Sequence, residues 1–231
     1  MRDNIEGVAF DLDGTLYPNY RLNIRIFHLI LKELRLVSNF GKARQLIRKN
    51  QAFSPLPDDF YLHQAEIVAK IIGNPIGVPS ETLKDKIDRV IYRAWEPAFK
   101  KIKLYNRVVK TLEAFKKAGL KLGLLSDFPP EAKLDYLNIR GFWDAVLCSE
   151  RCGALKPHPK SFVELACAMS LPPEKILYVG NSRPYDVTGA AAAGMKTAWI
   201  KSPFFPGSGL KKPKPDFSFS NYRQLYNFMI Q

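Results

Sequence analysis

Cysteine is scarce in this chain: three residues in 231, an odd number, at Cys148, Cys152 and Cys167. Their spacing gives neither a disulfide framework nor a metal site, and no histidines cluster near them. Reduced thiols at core or near-core positions are expected. Long apolar runs are missing too. No uncharged stretch approaches the ~20 residues a membrane helix needs, so no membrane partner or span is expected. A secretory leader is also not expected, because removing one of roughly 15–30 residues would remove the first acidic motif. The expected location is therefore cytoplasmic. Acidic residues are the third shortage. Twenty-two Asp and Glu face 35 Lys and Arg, for a formal net charge of +13. Such an excess permits a polyanionic partner and favours an anionic small substrate without establishing either.

What is present begins with Val8-Ala9-Phe10-Asp11-Leu12-Asp13-Gly14-Thr15-Leu16. Residues two apart on a strand face the same way. An extended chain at Asp11 would start both carboxylates on one side, at the strand end where open α/β sheets bind ligands. Two like charges this close are costly unless a cation or shared proton lies between them. From Lys103 onward, helices alternate with short apolar strands. The pattern predicts strands at 120–125, 145–148, 176–179, 197–200 and 217–219, with the first of these leading into Ser126-Asp127. It predicts helices at 107–118, capped by Asn106 and stopped at Gly119, and at 131–137, 159–169, 184–193 and 221–229. This alternation argues for an α/β fold, a parallel sheet with helices on both faces.

The interval from residue 17 to 100 has no strand pattern. Ile24, Phe27, Leu31 and Leu34 recur at helical spacing, as do Phe60, Ile67 and Ile71, then Leu83, Ile87, Val90 and Ile91. Breaks fall at Ser54-Pro55-Leu56-Pro57 and Asn74-Pro75. The expected organisation is a core of 1–16 and 101–231 with a helical insert at 17–100. The Pro-, Gly- and Lys-rich stretch 201–215 reads as a long surface loop.

Polar residues then stand at successive strand ends: Asp11 and Asp13, Ser126, Lys156 before a helix, and Asn181 with Asp186. Each has a bland explanation: a solvated turn, a helix cap, a surface lysine, a first-turn acid. All of them together, in chain order at strand ends, are improbable as coincidence. The sequence resembles the haloacid dehalogenase superfamily, in its phosphatase branch. Asp11-Leu12-Asp13-Gly14-Thr15 matches the first motif, Leu124-Leu125-Ser126-Asp127 the second, and Lys156-Pro157 the third. Val179-Gly180-Asn181-Ser182 with Asp186 matches the fourth, trailed by Gly189-Ala190 and Ala193-Gly194-Met195. Pro215-Asp216-Phe217-Ser218-Phe219 is similar to the last strand. The resemblance implies a Rossmann-like core and a mobile helical cap inserted between the first two motifs.

It also implies roles. Asp11 would be the nucleophile that forms an aspartyl-phosphate, and Asp13 the acid and base. Ser126 and Lys156 would hold the phosphoryl oxygens, Lys156 also offsetting Asp11. Asp11, Asp186 and the main-chain carbonyl of Asp13 would bind Mg²⁺. Dehalogenases of this superfamily lack an aspartate at the position of Asp13, which favours phosphate esters. Phosphonate cleavage would need a Schiff-base lysine that is not identifiable in the insert. Asn181 departs from the family's usual aspartate, so a weak or indirect metal contact and weaker magnesium binding are expected there. His158 replaces a common acid and reads as a solvated loop histidine near ~6.5, with substrate contact as the alternative. Arg183 reads as pairing with a surface acid rather than a substrate anion.

Basic residues gather early in the insert: Arg21, Arg25, Lys32, Arg35, Lys42, Arg44, Arg48 and Lys49, with Glu33 the one acid among them. Lys211-Lys212-Pro213-Lys214 forms a second cluster. They read as solvated faces, or as a device recruiting a nucleotide, sugar or organic-acid phosphate. Nucleic acid is not expected, since aromatics do not alternate with the basic residues. Two function classes follow. One is a Mg²⁺-dependent phosphohydrolase of a small phosphate monoester; the other is a member without turnover that binds a polyanion. The intact Asp11 and Asp13 favour the first. A sugar mutase would need an insert group that retains the intermediate, and none is identifiable. The sequence leaves substrate and oligomeric state open.

Overall fold

The computed structural model describes residues 4–52, 55–73, 79–201 and 213–231. Strands β1 (Gly7–Phe10), β2 (Lys121–Ser126), β3 (Ala145–Cys148), β4 (Ile176–Gly180), β5 (Lys196–Ile200) and β6 (Phe217–Phe219) form one sheet. Its order is β3-β2-β1-β4-β5-β6, and every neighbouring pair is parallel. Central strands of such a sheet are covered on both faces and read as unbroken apolar runs. All four residues of β1 are indeed buried. On one face Phe10, Leu122 and Leu124 pack with Leu112 and Phe115 of α5 (Val108–Lys117) and Leu225 of α9 (Tyr222–Ile230). On the other, Ala9 and Tyr178 pack with Phe162 and Leu165 of α7 (Pro159–Ala168). The α/β, Rossmann-like architecture expected from the sequence is the observed one.

Between β1 and β2 lie α1 (Asn19–Lys32), α2 (Leu34–Asn50), α3 (Phe60–Ile72) and α4 (Ser80–Ile87), then a π-helical turn Asp88–Arg93 and a 3-10 turn Glu96–Lys101. No strand occurs there among the described residues. Leu36, Phe40, Ala43, Val68, Ile87 and Ile91 form a separate apolar cluster, and Phe128 from the loop after β2 packs against it. No helix among the described residues is long and apolar enough to cross a membrane.

Several local expectations are corrected. The apolar residues whose spacing marked a helix at 24–34 are solvent-exposed on α1 and the start of α2: Ile24 70%, Phe27 58%, Leu31 55% and Leu34 56%. Helix α1 is apolar on more than one side, and it is Ile26 that is buried; periodicity marks the helix but not the side that packs. Asn106 does not cap α5. Arg107 occupies that position at φ 70°, in the left-handed region, without a side-chain cap, and the turn it makes delays the helix to Val108. Gly119 ends the element at φ 78° as expected. The helix expected at 184–193 is a π-helical turn, Arg183–Val187, followed by α8 (Thr188–Ala192). Ser182 O accepts both the Asp186 and Val187 amides, at 2.8 and 3.2 Å, which widens the first turn. Cys148 and Cys152 are buried and free, and burial pushes both thiols up to about 12. Cys167 is exposed, because α7 turns Phe162, Leu165 and Ala166 inward instead. Ser54, Asn74-Pro75, most of the 201–215 loop and Lys211-Lys212 lie outside the described residues.

Candidate active site

The chain leaves β1 at the carboxyl edge of the sheet, where the Asp11 amide donates to Val179 O at 2.9 Å and stays registered on β4. Asp11 Oδ1 accepts Lys156 Nζ at 2.6 Å, and Oδ2 accepts Thr15 Oγ1 at 2.7 Å. The same ammonium donates to Asp186 Oδ1 at 2.7 Å. One lysine thus bridges two buried carboxylates. Burial pushes the Asp11 carboxyl up to about 7 against the pull of Lys156, with Asp186 and Asp13 adding to the rise. Burial alone would depress the Lys156 ammonium; Asp11 and Asp186 hold it well above its ordinary value. Tyr178 lies beneath, its hydroxyl 3.4 Å from Lys156 Nζ.

Asp13 has its own counter-charge. Lys133 on α6 (Glu131–Tyr136) donates to both carboxylate oxygens, at 2.6 and 2.9 Å, and the Tyr17 hydroxyl donates to one of them. Each carboxylate of the Asp-x-Asp pair thus has its own lysine against it. The sequence reading missed Lys133, Tyr17 and Tyr178. No sequence signal singles out Lys133, because its burial shows only in the folded chain.

Asp186 is positioned by the widened turn: its Oδ2 accepts the Ser182 amide at 2.9 Å. Gly180 makes room for it, since a Cβ there would lie 2.3 Å from Asp186 Cβ. Gly180→Ala is expected to cost about 1–3 kcal/mol by overpacking and to move Asp186 off Lys156. Urea unfolding measures the first. Gly14, at φ 91°, lets the Asn181 side chain close in on the turn. Asn181 Oδ1 lies 3.4 Å from Thr15 Oγ1, whose single proton goes to Asp11 at 2.7 Å. Asn181 therefore faces the turn beside Asp11. Ser126 ends β2 and is fully buried; its Oγ accepts the Phe128 amide at 3.2 Å, which leaves its hydroxyl proton for another oxygen.

Two of the early basic residues are internal rather than solvated. Arg44 pairs with buried Glu150, and Arg48 donates to Asp127 Oδ2 at 2.7 Å and to Lys156 O at 3.0 Å. Burial alone would raise the Asp127 carboxyl, but Lys156, Arg44 and Arg48 hold it well below the usual range. Helix α2 thus grips the loops that carry Asp127 and Lys156. Arg183 donates to Pro213 O at 3.2 Å and lies over Trp199, so it pairs with a carbonyl and a ring instead of a surface acid. His158 Nδ1 accepts the Lys160 amide at 3.3 Å and caps α7; burial and Lys160 lower its pKa.

The donor chemistry fits a divalent cation. Asp11 and Asp186 share one ammonium, so the buried cluster keeps a net negative charge, and its oxygens are the hard ligands Mg²⁺ prefers. Among the described residues, no three His, Cys, Asp or Glu side chains gather as a metal cluster. Magnesium tolerates this, since it commonly retains several waters.

Acid, hydroxyl, lysine and acid at successive ends of a parallel α/β sheet place the protein in a family of hydrolases. The profile of the haloacid dehalogenase-like hydrolases matches residues 5–194, and the chain belongs to that family of enzymes. It is 28% identical to the glyceraldehyde 3-phosphate phosphatase of Methanopyrus kandleri, over 96% of this chain and 95% of the relative. It is 26% identical to the phosphoglycolate phosphatase of Salmonella typhimurium, over 96% and 91%. The solved L-2-haloacid dehalogenase from Xanthobacter autotrophicus shares the fold at a TM-score of 0.67, with 19% identity over 97% and 98% of the two chains.

Proposed function

We propose that the protein is a Mg²⁺-dependent phosphohydrolase that cleaves a small phosphate monoester through an aspartyl-phosphate intermediate. The observation that carries this is the pair of differently held carboxylates: Asp11 on Lys156 and Thr15, Asp13 on Lys133 and Tyr17. Two acids two residues apart then take two jobs. An Asp11 oxygen attacks phosphorus as the bond from phosphorus to the ester oxygen breaks. Asp13 gives its proton to the departing alkoxide. A water then attacks the phosphoryl group and gives a proton to Asp13, releasing phosphate and restoring Asp11. The Ser126 hydroxyl and Lys156 ammonium would hold the equatorial oxygens. Asp11, Asp186 and the Asp13 main-chain carbonyl would hold Mg²⁺, with Asn181 behind them; the bound ion supplies charge that offsets the phosphoryl oxygens. Residues 17–100 would act as a cap over a core of 1–16 and 101–231.

The phosphatase names of the two relatives support this reading. The test is hydrolysis of p-nitrophenyl phosphate. Turnover is expected with magnesium, abolished by a chelator and restored by added metal. A folded protein without magnesium-dependent turnover on a broad panel of phosphate esters would overturn it.

A further inference from the structure

Beside the phosphoryl site lies a cavity of about 630 Å³ whose wall includes Asp13 and Lys133 but not Asp11, Lys156 or Asp186. On the phosphatase reading, Asp13 serves the leaving oxygen, so this cavity is where the leaving group sits. Its exposed wall is more apolar than polar, although Asn19, Asn23 and Gln64 also line it. Ile26, Ile87, Ile91 and Phe99 are buried there, joined by Trp95 and Phe128. Its cations are already engaged. Lys84 donates to Asp59 at 2.7 Å, Arg93 pairs with Asp88 at 2.6 Å, Arg151 pairs with Glu131, and Lys133 holds Asp13. With Asp13 and Asp88, Asp85 and Glu96 bring the acids of the lining to four, equal to its four cations. Among its described residues, every Lys and Arg is therefore ion-paired, and a carboxylate on the leaving group would find no unpaired cation there. Cavities of 300–1,000 Å³, as a rough range, enclose ligands far larger than a two- or three-carbon alcohol.

Resting on the phosphatase reading, we infer that the substrate is a phosphate monoester of a bulky, uncharged, largely apolar alcohol or phenol, whose organic part fills this cavity. The size and the apolar share of the wall select it, and a lining whose cations are all ion-paired disfavours phosphorylated organic acids. Each added methylene in a fitting apolar pocket contributes roughly 10-fold or more to discrimination, so the effect accumulates along a homologous series.

The experiment compares kcat/KM for ethyl, butyl and octyl phosphate and for phosphoglycolate, on the magnesium-loaded enzyme. Octyl phosphate is expected to exceed both ethyl phosphate and phosphoglycolate by at least ~100-fold. A second readout does not need turnover. Binding of 1-octanol is expected to shift tryptophan emission to the blue, and Trp95→Phe to remove most of that shift. Turnover that is flat along the series, or best with phosphoglycolate, overturns the substrate class while leaving the phosphatase reading intact. Octanol binding with no ester hydrolysed overturns the phosphatase reading, and the substrate class with it.

Discussion

Asp11→Asn is expected to lower kcat on p-nitrophenyl phosphate by ~10⁴-fold or more, because an amide oxygen does not form the covalent intermediate. The fold should survive the change. Asparagine has the same shape, and its removal of one charge leaves Lys156 with Asp186 in a one-to-one pair at 2.7 Å. The thermal midpoint is therefore expected to stay within a few degrees of the wild-type value, roughly the shift that about 1 kcal/mol produces in a domain of this size. Asp13→Asn is the contrasting arm. Loss of a general acid costs roughly 10²–10⁴-fold, and the loss should be smaller for p-nitrophenolate, which departs readily unprotonated, than for an alkyl alkoxide. Equal losses on both substrates would remove the proton-donor role from Asp13, and an active Asp11→Asn protein would sink the covalent route.

How far the arrangement of the site was legible depends on where the physical signal lies. Strand β4 was readable because a parallel strand buried on both faces is a short unbroken apolar run, here closed by Gly180. The placement of Asp11, Ser126, Lys156 and Asp186 along one edge was readable from their order, since a parallel sheet delivers its strand ends to one edge. Lys133 was not. It sits in a six-residue helix too short to show a period, and its partner Asp13 is 120 residues away in sequence. The faces of α1 were not readable either, because periodicity reports that a side is apolar and not which neighbour covers it. Asn106 failed for a related reason: cap preference is weak beside a backbone turn such as Arg107 at φ 70°. Arg44 and Arg48 looked like solvated charges because what neutralises them lies far along the chain, Glu150 being 106 residues from Arg44 and Asp127 79 residues from Arg48.

That last pair of arginines carries the largest expected effect on stability. Glu150 is 0% exposed and Arg44 4%. Burial raises the Glu150 carboxyl, and Arg44 is the main group opposing that rise. Arg44→Met removes the counter-charge and leaves the acid buried with the Tyr92 hydroxyl, which donates to it at 3.0 Å. Breaking one side of a buried ion pair costs about 3–5 kcal/mol, equivalent to a fall of roughly 10 °C in thermal midpoint for a chain of this length. Arg44→Met combined with Glu150→Leu is expected to recover at least half of that loss, because an apolar pair avoids the desolvation of both charges. Recovery should be incomplete, since Tyr92 then keeps only the Gln64 amide at 3.0 Å. The four urea-unfolding curves of the double-mutant cycle measure the coupling directly. A single-mutant cost below ~1 kcal/mol would show that Glu150 is reached by water, and that α2 is not locked to the core through this pair. A large cost with recovery makes the joint a structural anchor. The α2 side of the helical layer then stays fixed over Asp127 and Lys156.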